Sequence, residues 1–249
     1  MAGSAPNRIT AIAFIVACMM TFGLPASATV YDLNASFSTV NSAGNPFVVE
    51  QGSTPLSFVV DWLPITGAPE YNPPSGHIAQ PAFAAGVSGG NAEITPAWFQ
   101  AAVTPFTNGF LWNYGDIIVQ TTVGAVKGPT SVLWTSPSAG TGTVSGILWD
   151  ARNSLQVAQQ WELLVNNVSV DSGSVPETGA VTESDPTTFD VTGLDFAAGD
   201  TVQLSIFNAN SSGDLVGTDL TITENNASVP EPSALMILFL PIAGLLMAR

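Results

Sequence analysis

The stretch Phe110-Leu111-Trp112-Asn113-Tyr114-Gly115-Asp116 interleaves aromatic rings with amide and carboxylate groups. That combination suits a pyranose: flat rings cover the apolar side of the sugar, while Asp, Asn or Gln hydrogen-bond its hydroxyls. Trp112, Asn113, Tyr114 and Asp116 are therefore the candidate ligand-binding residues. Trp98, Trp134, Trp149 and Trp161 could offer ring faces too, but a strand Trp more often fills a core, and Trp134, Trp149 and Trp161 are read that way. For Trp112 both readings stay open.

Catalytic chemistry finds little to work with. His77 is the sole histidine, and the only cysteine, Cys18, lies in an N-terminal apolar run. Zinc would need more His or Cys than the chain holds. Phosphate-cradling glycine motifs are absent. Asp195, Asp200, Asp214 and Asp219 could be calcium ligands, yet no spaced Asp-x-Asp loop contains them, and they read as turn formers. No catalytic residue, metal or cofactor is expected. Paired carboxylates for glycosidase chemistry stay open, because the 19 acids allow many pairs and sequence gives no distances.

The elements that would carry the aromatic cluster are strands. Charged residues make up 9% of the chain, with 23 Gly and 18 Pro, a mixture that favours short strands and turns over amphipathic helices. Apolar or alternating runs predict strands from Leu56 to Trp62, Asp116 to Val123, Ser131 to Thr135, Gly142 to Trp149, Gln160 to Val165, Thr201 to Phe207 and Asp214 to Thr223. The expected class is all-β, a β-sandwich body over residues 29–228, better defined from 116 to 224. From Pro64 to Thr107 the composition reads as a long loop excursion with a short helix near Trp98.

Only four bases, Arg8, Lys127, Arg152 and Arg249, oppose the 19 acids, for a net charge of −15. This acidity repels phosphate backbones and excludes nucleic acid as an expected partner. With Cys18 alone, the body can form no disulfide.

Both termini read as addresses. Arg8, an apolar run from Ile9 to Leu24 and Ala26-Ser27-Ala28 form a secretory signal over residues 1–28, with Ala26 and Ala28 as the small residues that signal peptidase requires. Ile15-Val16-Ala17-Cys18 fits a loose lipobox, so lipidation at Cys18 stays open. At the other end, Val229-Pro230-Glu231-Pro232-Ser233 precedes an apolar segment over 234–248 and the terminal Arg249. The prolines hold the motif extended, as a protease groove needs. The segment spans roughly 22 Å as a helix, short of a hydrocarbon core of about 30 Å, so it is a marginal inner-membrane anchor. Arg249 would keep the C-terminus cytoplasmic.

In that order of motif, apolar segment and basic end, the last twenty or so residues resemble the PEP-CTERM family of exosortase substrates. The resemblance implies export, transient retention in the inner membrane, cutting near Pro-Glu-Pro by an exosortase, and release or attachment outside. The family usually ends in several arginines, where this chain has Arg249 alone. Leu63-Pro64-Ile65-Thr66-Gly67 matches a sortase motif but is internal, and reads as a turn.

A second resemblance covers residues 131–223. The run Val132-Leu133-Trp134-Thr135-Ser136-Pro137, the turn at Gly140, Trp161-Glu162-Leu163-Leu164-Val165 and the strand opened by Gly199-Asp200-Thr201 are similar to jelly-roll, carbohydrate-binding-module-like domains of exported bacterial proteins. The expectation is an exported, non-enzymatic surface or matrix protein whose sandwich binds polysaccharide. A purely structural coat protein and an extracellular glycan hydrolase are the alternatives.

Overall fold

The computed structural model describes residues 27–62, 80–84, 97–102, 104, 109–121, 129–152, 157–176, 181–208 and 214–226. The sorting motif Val229 to Ser233, Arg249, the apolar segment 234–248, Ala26, Cys18, His77 and the Leu63 to Gly67 run lie outside these residues. Among the described residues no helix is long and apolar enough to cross a membrane. By its chain contacts Thr29–Glu224 forms one compact unit. The expected cleavage after Ala28 falls at the first residue of strand β1, Ala28–Asp32.

The body is a β-sandwich. After β1 come one turn of helix, α1 (Leu33–Ser36), and a 3-10 turn (Phe37–Thr39). The strands that follow are β2 (Phe47–Gln51), β3 (Thr54–Pro55), β4 (Ser57–Trp62), β5 (Gln80–Ala84), β6 (Ala97–Gln100), β7 (Ile117–Gln120) and β8 (Thr130–Thr135). Then come β9 (Gly140–Asp150), β10 (Gln159–Val165), β11 (Val168–Val175), β12 (Thr187–Phe196), β13 (Thr201–Phe207) and β14 (Leu215–Asn226). One sheet has the order β12-β9-β14-β7-β6-β5-β4, with β1 pairing β14 as its eighth strand. The other has six strands, β11-β10-β13-β8-β2-β3.

The six-stranded sheet is held by rows of apolar side chains that meet across the ladder. Leu163 faces Leu204, which faces Val132, which faces Val49; beside them run Val165, Val202, Trp134 and Phe47. Strand side chains alternate between faces, so each row lies on one face. These rows and the matching face of the other sheet build one buried cluster that includes Trp98, Val144, Leu148, Leu220 and Ile222. Each fully buried side chain of this size contributes about 1.5–3 kcal/mol. Asn166 and Asn167, both with positive φ, turn β10 back into β11. Two left-handed residues in a two-residue loop match the twist of the flanking strands.

Around β5, β6 and β7 the eight-stranded sheet is apolar on both faces. Its inner row reads Val216, Val119, Trp98, Phe83, Phe58, and its outer row reads Gly217, Ile118, Phe99, Ala82, Val59. Runs such as Ala97-Trp98-Phe99 and Ile117-Ile118-Val119 therefore lack alternation, as strands buried on both sides do. This corrects two expectations. The stretch near Trp98 is a strand and not a short helix, and the loop excursion from Pro64 to Thr107 contributes β5 and β6 to the sheet.

Candidate functional site

The outer row needs a cover, and residues 109–116 supply it. Leu111 N–H donates to the Ala151 carbonyl at 2.9 Å, and the indole N–H of Trp149 donates to the Leu111 carbonyl at 2.9 Å. At the far end, Ala101 N–H donates to the Asp116 carbonyl and Gly115 N–H to the Ala101 carbonyl, both at 2.9 Å. The segment is thus tied to strand ends on both sides. Phe110 and Trp112, on either side of Leu111, drop into a second buried cluster with Ala97, Phe99, Ile118, Trp149 and Leu215. The Trp112 ring packs edge-on against Phe110 at 4.9 Å and Phe99 at 5.8 Å between centroids, and Arg152 sits 5.3 Å over Phe110.

Burial separates the four candidate ligand residues. Trp112 is 3% exposed, its ring occupied by packing, whereas Tyr114 is 75% exposed. Asn113 to Asp116 form a β-turn: Asp116 N–H donates to the Asn113 carbonyl at 3.3 Å, and Gly115 supplies the positive φ of 97° required at the third position. Tyr114 occupies the second position, at the tip. Its backbone N–H donates to Thr104 Oγ1 at 3.2 Å, and Asn113 N–H donates to Asp116 Oδ2 at 2.6 Å.

Partners remote in sequence gather around this turn. The Asn113 side-chain amide donates to Glu183 Oε2. Gln100 Nε2 donates to the Gly115 carbonyl at 3.2 Å and to Asn34 Oδ1 at 2.9 Å, linking the turn to α1. Asp32 caps α1 by accepting from Ala35 N–H at 2.9 Å. Burial lifts the Asp116 carboxyl to about 6; the Asn113 N–H opposes the rise, and the Glu183 and Asp219 charges add to it. Asp219 is raised chiefly by burial, then by Asp32, with the Asn34 amide opposing and Glu183 adding. Glu183, Asn34 and Gln100 carry no signal in the sequence, because only the fold brings them to this turn, and Asp219, read there as a turn former, lies close enough to act on Asp116.

The result is an exposed ring on a fixed turn, rimmed by amide donors and carboxylate acceptors. That arrangement can stack on a sugar and hydrogen-bond its hydroxyls. Among the described residues no group of three or more His, Cys, Asp or Glu side chains is arranged to hold a metal ion. Of the aspartates weighed as calcium ligands, Asp200 accepts from Ala197 N–H at 2.7 Å and Asp214 from Leu215 N–H at 2.8 Å, each serving its local backbone.

Asp214 gives the body a pH dependence. Burial raises its carboxyl to about 7; the Leu215 N–H opposes this, Asp150 adds to it, and Arg152 and the Val157 N–H oppose it. The folded state therefore holds a proton that the unfolded chain releases near pH 4, and stability is lost as pH rises from about 4 to about 7. Asp116 adds the same sign up to about 6. The thermal midpoint is expected to be higher near pH 4.5 than near pH 7.5, and Asp214→Asn should flatten that slope. A midpoint that climbs with pH would contradict this assignment.

No protein-family model matches the chain, and no curated protein matches it. Solved structures with a similar course of chain include a family 35 carbohydrate binding module from Clostridium thermocellum, at 12% identity and TM-score 0.29, covering 79% of this chain and 98% of that one. The CBM36-1 domain of a multidomain xylanase from the hindgut metagenome of Trinervitermes trinervoides is 12% identical at TM-score 0.29, covering 44% and 87%. The K3 cleaved adhesin domain of Lys-gingipain from Porphyromonas gingivalis is 11% identical at TM-score 0.30, covering 72% and 91%. Likeness at this level fixes neither ligand nor activity, which depend on the site.

Proposed function

We propose that this chain is an exported surface or extracellular-matrix β-sandwich that binds polysaccharide without turning it over. The observation that carries the reading is the Tyr114 ring, 75% exposed at the tip of a turn whose flanks are pinned to both neighbouring strand ends. A ring held on a fixed turn loses little freedom when a partner stacks on it. Asn113, Glu183 and Asp116 supply the donors and acceptors beside it. With a net charge of −15, an uncharged glycan is favoured over an acidic one.

The terminal sequences support the route. Residues 1–28 fit handling by signal peptidase, and Val229 to Ser233 with Arg249 fit an exosortase acting while segment 234–248 rests in the inner membrane.

Affinity electrophoresis of the purified chain through gels containing neutral polysaccharides tests the binding. One of them should retard the protein, and Tyr114→Ala should weaken that retardation about tenfold, the size expected for losing one stacked ring. Its thermal stability should hardly change, because the side chain is exposed. Equal retardation of parent and variant would overturn the assignment to Tyr114, and no retardation in any neutral polysaccharide would overturn the reading itself.

A further inference from the structure

The inner row of the eight-stranded sheet ends unevenly. Val216, Val119, Trp98 and Phe83 are buried, but Phe58, next in the row and on the same face, is 55% exposed. β4 is the last strand of its sheet, and the facing sheet ends in the two-residue β3. β3 leads through Leu56 alone into β4, so these two edges lie on the same side of the sandwich. The wider sheet overhangs the narrower one there, and an inward-facing phenylalanine is left without a cover.

Beneath the overhang is an open cavity of about 490 Å³, lined by Ser38, Asn41, Ser42, Ser57, Phe58 and Phe83 among others. That volume lies within the range of small-ligand sites. Its walls are fixed. Phe58 packs edge-on against Phe83 at 5.5 Å, and Phe83 against buried Phe37 at 5.4 Å, so the exposed ring is the outer member of an aromatic ladder rooted in the core. Asn41 adopts a left-handed φ of 60°; its Nδ2 donates to the Leu56 carbonyl at 2.8 Å, and its Oδ1 accepts from Val49 N–H at 2.8 Å. That amide is spent on holding the turn after the 3-10 helix against β2 and β3, which makes Asn41 a positioning residue.

We infer that this cleft is a second saccharide site, taking a sugar unit of an uncharged glycan. The chemistry points there on three counts. Phe58 offers a ring face for the apolar side of a pyranose, Ser38 and Ser42 offer hydroxyls to its polar edge, and no charged side chain lines the cavity among the described residues. The cleft belongs to the inner face of the eight-stranded sheet, whereas the Tyr114 turn lies over the outer face. Sites on opposite faces let one domain hold two glycan chains at once, which suits a matrix protein. This inference extends the proposed polysaccharide binding to a separate place on the sandwich.

The test is NMR of the purified full-length chain, in detergent, with ¹³C-labelled phenylalanine, titrated with cellotetraose, xylotetraose, mannotetraose and maltotetraose in turn. The Phe58 ring signal, assigned by its loss in Phe58→Ala, is expected to shift with one of these sugars, together with Phe83. Phe58→Leu, which keeps apolar bulk but lacks the ring, should weaken the effect at Phe83 about tenfold. Tyr114→Ala should leave the Phe58 shift intact. A Phe58 signal unmoved by all four sugars would overturn the second site while leaving Tyr114 binding standing. A shift that vanishes in Tyr114→Ala would also overturn it, because the signal would then report the first site. A shift that persists while Tyr114→Ala costs nothing in polysaccharide binding would support the cleft and remove the Tyr114 reading.

Discussion

Trp112→Ala is expected to lower the unfolding free energy by about 3–5 kcal/mol, the usual cost of removing a large buried aromatic. The ring is 3% exposed and wedged against Phe99 and Phe110 over the outer face of the eight-stranded sheet. Taking it away leaves a cavity between the covering segment and Ile118, and frees the Asn113 to Asp116 turn to shift. Urea denaturation of parent and variant measures this, with the midpoint falling and the slope little changed. Were Trp112 instead a solvent-facing ligand ring, the cost would stay within about 0.5 kcal/mol and only binding would suffer. The result therefore decides between the two roles that composition left open for this residue.

The second large effect is expected at Gly217. Its Cα lies flat beneath the Trp149 indole, and a Cβ placed there would overlap the ring's six-membered part. Gly217→Ala must push Trp149 away. Overpacking of this kind costs about 1–3 kcal/mol. The displaced indole would also release its hydrogen bond to the Leu111 carbonyl, worth about 1 kcal/mol more. Thermal unfolding followed by tryptophan fluorescence is the measurement. In a Trp149→Leu background, where the ring is gone, Gly217→Ala should cost far less. An equal cost in both backgrounds would show that the glycine acts through its backbone and not through this contact.

Much of this architecture can be read from residue order. The alternation in Thr201-Val202-Gln203-Leu204 and the apolar run around Trp134 announce central strands, and both lie in the core of the six-stranded sheet. β5 and β6 are hidden because they are short, rich in alanine and buried on both faces, so their side chains show no period. β11 and β12 escape for the opposite reason. They are edge strands whose Ser, Asp, Thr and Gly residues face water, although Asn166-Asn167 between two valines already carries the hairpin signal.

The aromatic and polar character of residues 110–116 is legible, but its division of labour is not. Trp112 turns inward because the outer face of a sheet assembled from distant strands demands a cover, and Tyr114 turns outward because it sits at the tip of a turn. Glu183 and Asp219 reach that turn only through the sheet. Phe58 is the same kind of case, since its exposure comes from one sheet being wider than the other.

Isothermal titration of the purified chain with the polysaccharide that retards it, repeated for Tyr114→Phe and Tyr114→Ala, decides whether the Tyr114 ring binds glycan. Saturable heat is expected for the parent, near-parent affinity for phenylalanine, which keeps the ring, and about tenfold weaker binding for alanine. Equal affinity in all three proteins would contradict that role of the ring.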